Sequence, residues 1–264
     1  MVADLVWSGI LQDMSATIII PARWASVRLP GKALLRQTGK YLVQHVVEAV
    51  SDAALAGRVV VATDDERIFD AVVSFGAQAI MTRADHANGT ERLAQAAELL
   101  GLGDDDIVVN VQGDEPDTPP ELVDELIKTL ETSRSPMATL CTPLSAELAR
   151  DPNRVKVVFG KGKGEGQGEE NLQALYFSRA AIPFDRDGAG KAEYFMHLGL
   201  YAYRVSFLKL YAALPASPAQ RAENLEQLRA LEHGYSIAIA KVDYAGNGID
   251  TPADYAEFVE RMSQ

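Results

Sequence analysis

The sequence predicts an α/β protein on a doubly wound, mostly parallel sheet, with a smaller antiparallel subdomain in its second half. Three features of the chain point there. Apolar β-branched runs alternate with helical stretches from Thr17 to about Leu130, the pattern of successive βαβ units with right-handed crossovers. The run Asp106 to Val111 is apolar almost throughout, as expected of a parallel strand covered on both faces. Beyond Pro136, strands follow one another in closer succession, so the alternation lapses. A length of 264 residues, 47% of them hydrophobic and 23% charged, supplies core enough for one α/β domain.

Thr17 to Ile20 reads as a buried first strand that ends at Pro21 and feeds a loop punctuated by Gly31 and Gly39. A helix from about Tyr41 to Val50 leads to a strand at Arg58 to Thr63. Asp64 is placed to cap a helix through Phe75, and Gln78 to Thr82 forms the next strand. A helix from about Thr90 to Leu100 precedes the apolar strand at Asp106 to Val111. Thr118, Pro119, Pro120 and Glu121 spell a capping box with proline at the helix start, opening a helix to Leu130. Strands at Met137 to Thr142, Val155 to Phe159, Leu172 to Phe177 and Leu198 to Tyr203 compose the antiparallel part, an inserted subdomain at about 150–215. Helices at about Ser206 to Leu214 and Ala222 to His233 then lead to a strand at Ser236 to Val242. Thr251, Pro252 and Asp254 start the last helix. One domain thus spans 16–264, preceded by a flexible extension at 1–15. The stretch Gly160 to Gly168, with glycine at five of nine positions, reads as a mobile loop.

A formal charge of -12 argues against general binding to nucleic acid or anionic membranes. The lone Cys141 allows no internal disulfide and no thiolate zinc cluster, and its flanks make it a small buried strand residue. No apolar run nears the roughly 20 residues of a membrane span. The first 14 residues hold Asp4 and Asp13 but no Lys or Arg, unlike a secretory signal, so a cytoplasmic location is expected. One segment breaks the acidic pattern: from Met14 to Val47 there is no Asp or Glu, while Arg23, Arg28, Lys32, Arg36 and Lys40 all fall there. Such a segment suits a small polyanion.

The loop Pro21 to Lys32, PARWASVRLPGK, offers backbone amides and three cations directly after the first strand. Arg grips two phosphate oxygens at once, and Lys serves as a compact point charge. In Asn110 to Pro116, NVQGDEP, Asp114 lies at the carboxyl end of the apolar strand, where open α/β sheets bind ligands. A carboxylate there can hold Mg²⁺, which prefers a few oxygen ligands together with substrate phosphates. Asp250, just before the last helix, is a second carboxylate that the helix start does not need, because Thr251 takes the cap. His45, His86, His197 and His233 include no pair at helical metal-ligand spacing; His86 and His197 are placed for substrate hydrogen bonds.

Taken together, IPARWASVRLPGK, MTRADHANGTER, NVQGDEP, FSRAAIPFDRD, HLGLYAY, ENLEQLRAL and GIDTPADY resemble the Kdo (3-deoxy-manno-octulosonate) cytidylyltransferase family, in that family's order and spacing. The resemblance implies a Rossmann-like nucleotidyltransferase fold and Mg²⁺-dependent transfer of CMP from CTP to Kdo, in the service of lipopolysaccharide or capsule synthesis. It implies a homodimer, with the 150–215 subdomain serving dimerisation and sugar binding, and no membrane or nucleic-acid partner. Arg23, Lys32 and Asp114 match its catalytic positions. Ala22 and Arg28 match the triphosphate loop, and Arg83, His86, Asn88, Gly89 and Thr90 match the segment that recognises the cytidine. Asp114 and Asp250 match its magnesium carboxylates. Gln112, Arg186, His197, Tyr201, Glu223 and Gln227 match the sugar-acid pocket. Trp24, Val27, Ala33, Phe184 and Asn88 depart from the family's commoner residues. A cytidylyltransferase for 8-amino-Kdo or sialic acid, or a non-catalytic CTP-binding protein, are the alternatives.

Overall fold

The computed structural model describes residues 16–25, 29–86, 88–162, 172–244, 246 and 248–263. The expected N-terminal extension, Arg28 and most of the glycine-rich stretch lie outside the described residues. Among the described residues nine strands form a single sheet: β1 (Ala16–Ala22), β2 (Ala56–Thr63), β3 (Gln78–Met81), β4 (Ile107–Asn110), β5 (Met137–Leu144), β6 (Lys156–Lys161), β7 (Leu172–Ser178), β8 (Tyr194–Arg204) and β9 (Ile237–Lys241). Their order is β3-β2-β1-β4-β8-β5-β9-β7-β6.

The expectation of a mostly parallel sheet needs correction, because the sheet is mixed. β1, β2, β3 and β4 pair in parallel, as do β5 and β9. β8, however, enters antiparallel between β4 and β5, and β6 and β7 also pair antiparallel. The later strands extend the same sheet. β8 runs opposite to each of its neighbours β4, β5 and β6, so the parallel order set by the first βαβ units ends at β4.

Eight α-helices accompany the sheet among the described residues: α1 (Leu42–Val50), α2 (Glu66–Ser74), α3 (Gly89–Leu99), α4 (Pro120–Glu131), α5 (Val205–Ala213), α6 (Pro218–Glu223), α7 (Gln227–Glu232) and α8 (Pro252–Met262). Strand residues alternate between two cores. Ile18, Ile20, Val61 and Val109 pack with α1, α2 and α4 on one face, and Ile19, Ala62 and Val108 pack with α3, α5 and α7 on the other. At about 25 cal/mol per Å² of apolar area removed from water, these layers are the main source of stability.

Local chemistry moves several helix boundaries. Asp65, not Asp64, caps α2 by accepting a hydrogen bond from Arg67 N. Thr118 forms no capping box, since its hydroxyl donates back to Glu115 O, and α4 starts with Pro120 behind Pro119. The helix expected at Ala222 to His233 is two helices, broken where Asn224 takes the left-handed conformation (φ 51). The last helix starts behind Thr251 as expected, and there Thr251 and Asp254 form a capping box. No helix among the described residues is long and apolar enough to cross a membrane.

Candidate active site

β1 lies between β2 and β4, so successive strands leave β1 in opposite directions and open a crevice beyond the carboxyl ends of β1 and β4. Both strand ends reach it: Pro21, Ala22 and Arg23 from β1, and Asn110 and Gln112 from β4. Gly113 permits the close approach, because a Cβ there would lie 3.0 Å from Pro21 O.

Lys32 sits on a one-turn 3-10 helix (Lys32–Leu34) that leaves the basic loop. Its ammonium donates to Asp114 Oδ2 and, at 3.2 Å, to Asp250 Oδ1, with Ile249 O at 3.3 Å. Two contacts fix Asp250 beside Asp114. Ile249 N donates to Asp114 O at 2.8 Å, and Ile249 packs with Tyr255 and Phe258 of α8 against Leu42 of α1. A cation from the first loop and carboxylates 82 and 218 positions away thus meet at one point. Glu115 adjoins them, and burial, reinforced by the Asp114 charge, pushes its carboxyl up to about 7.

Two adjoining cavities share Pro21, Ala22, Arg23, Gln112 and Asn224. One, of about 490 Å³, contains Lys32, Asp114 and Asp250. The other, of about 330 Å³, runs over β4 and β8 to α3 and α7. Both fall within the size range of small-molecule sites. His86, Asn88, Gly89 and Thr90 line the second at the start of α3, and Gln112, Tyr201 and Gln227 line it from the other side. Asn88 also caps α3 through Glu91 N, which fixes this turn. Asn110 lines the same cavity, and its Oδ1 is the only buried side-chain polar atom without a partner among the described residues. An acceptor left so is costly unless something occupying the cavity meets it.

Not every expected residue joins the crevice. The Arg83 side chain is 65% exposed and paired with Asp85 at 3.2 Å. Arg186 is 91% exposed on the loop after β7. Glu223 is engaged elsewhere: it accepts from Ser178 Oγ at 2.6 Å and Arg179 N at 2.9 Å, which ties the end of β7 to α6. His197 is buried, hydrogen-bonded to Thr139 Oγ1 at 3.0 Å, and burial holds its imidazole neutral with a pKa lowered to about 3. It lines a third cavity of about 670 Å³ that also reaches Glu115 and Asp250.

Sequence reading missed Arg92 and Glu226. Arg92, almost fully buried on α3, donates to Asp64 Oδ2 at 2.8 Å and to Thr82 Oγ1, joining the ends of β2 and β3 behind the Asn88–Thr90 turn. Glu226 accepts from Thr90 Oγ1 at 2.8 Å, and burial raises its pKa. The available signal was a charge set beside core leucines, Arg92 next to Leu93 and Glu226 next to Leu225 and near Leu228.

Comparison with known proteins matches this architecture. A cytidylyltransferase family model fits residues 17–238. The 3-deoxy-manno-octulosonate cytidylyltransferase of Syntrophobacter fumaroxidans is 49% identical over 93% of this chain and 96% of its own. That of Pseudoalteromonas translucida is 45% identical over 94% and 98%. A solved CMP:2-keto-3-deoxy-manno-octonic acid synthetase complexed with CTP superposes with a TM-score of 0.85 at 43% identity, covering 95% of this chain and 99% of that one. A 4-diphosphocytidyl-2C-methyl-D-erythritol synthase shares the fold at 14% identity, with a TM-score of 0.62. With the crevice, the converging Lys32, Asp114 and Asp250, and identities of this level over nearly the whole length, the chain belongs to the 3-deoxy-manno-octulosonate cytidylyltransferase family.

Proposed function

We propose that this protein transfers CMP from CTP to the anomeric hydroxyl of Kdo, releasing pyrophosphate, in the cytoplasm and for the synthesis of a surface polysaccharide or lipopolysaccharide. The observation that carries the reading is the meeting of Lys32, Asp114 and Asp250 in the crevice of a chain 49% identical to a Kdo cytidylyltransferase.

The donor set fits a hard divalent cation: two carboxylates from separate segments converge on one ammonium. Two carboxylates leave the remaining positions of such an ion to phosphate oxygens and water, the ligand set that Mg²⁺ prefers. Held by Asp114 and Asp250, Mg²⁺ would neutralise charge on the α-phosphate and the departing pyrophosphate. Arg23 and Lys32 grip the triphosphate from the first loop, together with Arg28 and the Ala22 backbone. The turn His86–Thr90 holds the cytidine, Gln112, Tyr201 and Gln227 hold the sugar acid, and His197, its ring 5.3 Å from that of Tyr201, backs this wall. The hydroxyl oxygen attacks the α-phosphorus in line, its proton passes to solvent, the bond from the α-phosphorus to the bridging oxygen breaks, and pyrophosphate leaves with that oxygen. Positioning and fixed charge supply most of the acceleration, so the protein needs no covalent intermediate. Arg83, Arg186 and Glu223 have no geometric support for ligand contact.

A homodimer belongs to the same proposal. In the 150–215 region Leu175, Tyr176 and Phe184 are large apolar side chains left exposed, the last at 84%, and a partner subunit would cover them. The test of function is pyrophosphate release from CTP with Kdo, 8-amino-Kdo or sialic acid, with and without Mg²⁺. Turnover with Kdo that requires the metal supports the reading; turnover only with sialic acid, or none, overturns it.

A further inference from the structure

The loop between Arg23 and Lys32 is fastened where its two ends meet. Gly31 N donates to Trp24 O at 3.1 Å, closing the loop at its two ends. The indole lies against Gly31 so closely that a Cβ there would come within 2.8 Å of Trp24 Cη2, and the residue's φ of +68 also favours glycine. The Arg67 guanidinium covers the same ring, its carbon 3.5 Å from the centroid. Arg67 is itself held, donating through Nε to Asp65 Oδ1 at 2.9 Å and through Nη2 to Asp65 Oδ2 at 2.6 Å. Asp65 is the cap of α2, so the assembly is anchored on the rigid end of a helix behind β2.

Both loop cations adjoin this fastening. Arg23 directly precedes Trp24, and Lys32 directly follows Gly31. We propose that Trp24, stacked under Arg67, is a positioning residue that holds Arg23 and Lys32 at the spacing a nucleoside triphosphate requires. The inference rests on the CTP-binding reading above and deepens it. Two cations on an open loop must be ordered when the polyanion binds, and that ordering weakens affinity. Closing the loop beforehand removes that cost in ground state and transition state alike. Neither Trp24 nor Arg67 need touch the nucleotide.

The test combines steady-state kinetics with fluorescence. Trp24→Ala should raise KM for CTP by about tenfold, leave KM for the sugar acid unchanged and alter kcat by less than about threefold, the pattern of lost ground-state and transition-state binding together. Trp24→Phe should restore most of the affinity. Arg67→Met, a change on the surface, should raise KM for CTP by about two- to fivefold, the size of an exposed cation–π contact. With Trp7→Phe making Trp24 the only tryptophan, CTP without sugar acid should shift the emission, with a midpoint near the KM for CTP. A general structural role would lower the melting temperature or move both KM values alike, and either result overturns the inference. So does a Trp24→Ala enzyme with the wild-type KM for CTP. If the wild type fails to turn over CTP with any sugar acid, the proposed activity falls instead, and the emission titration with CTP alone still decides the clamp.

Discussion

Replacing Lys32 by Met separates chemistry from folding at this site. At 3.2 Å the attraction between Lys32 and Asp250 is about 5 kcal/mol at an effective dielectric constant near 20. The Asp250 side chain is 44% exposed, however, so that pair adds only about 0 to 1 kcal/mol to stability after screening and side-chain ordering, and the less exposed Lys32–Asp114 hydrogen bond adds about 1 to 2 kcal/mol. Catalysis should suffer far more. A preorganised cation facing developing phosphate charge contributes about 3 to 4 kcal/mol, or roughly 10²- to 10³-fold in rate. Lys32→Met should therefore melt within a few degrees of wild type and lose at least about a hundredfold in kcat with saturating CTP, Kdo and Mg²⁺. Single-turnover pyrophosphate release under these conditions, beside calorimetric melting, measures both. A folded Lys32→Met enzyme with more than about a third of the wild-type rate would refute the reasoning. So would a loss of activity that follows a loss of fold.

Other perturbations probe the surroundings. Asp64→Ala leaves the buried Arg92 guanidinium without its carboxylate, and should cost about 3 kcal/mol in urea unfolding. Glu223→Ala removes the acceptor of Ser178 and Arg179, and should lower stability by about 1 to 3 kcal/mol without raising KM for Kdo; a raised KM with unchanged stability would return Glu223 to the sugar pocket. His197 binds its proton only near pH 3 when folded, against 6.5 when unfolded, because burial disfavours the cation. Between these values the unfolded chain holds more protons, so His197 makes stability fall as pH drops from about 6.5 toward 3. His197→Gln should flatten that part of an acid titration followed by circular dichroism. Cys141, buried and pushed up to about 12 by burial, should resist an aromatic disulfide reagent until the protein unfolds.

Much of this site was legible because its parts are local signals. The acid-free segment around Lys32, the Gly113–Asp114 turn after an apolar strand and the Thr251 cap that leaves Asp250 outside the helix start can each be read from one continuous stretch of chain. What the sequence withholds is pairing. Nothing local shows that β8 inserts antiparallel between β4 and β5, since strand partners are chosen by contacts far along the chain. The same limit hid the Arg92–Asp64 pair, whose members lie 28 positions apart, and the Thr90–Glu226 contact across 136. Glu223 shows the converse. Its place in ENLEQLRAL suggested a ligand contact, yet its carboxylate holds a strand end to a helix.

The central claim is that Asp114 and Asp250 hold one divalent ion on the nucleotide while Lys32 and Arg23 hold its phosphates. The most direct measurement is a crystal structure of the protein with CTP and Mn²⁺ in place of Mg²⁺, with the metal located by anomalous scattering. The account predicts a Mn²⁺ peak bridging the two carboxylates and the α-phosphate, with the Lys32 ammonium displaced from Asp114 toward phosphate oxygen. A metal bound by phosphate oxygens alone, away from both carboxylates, would contradict it.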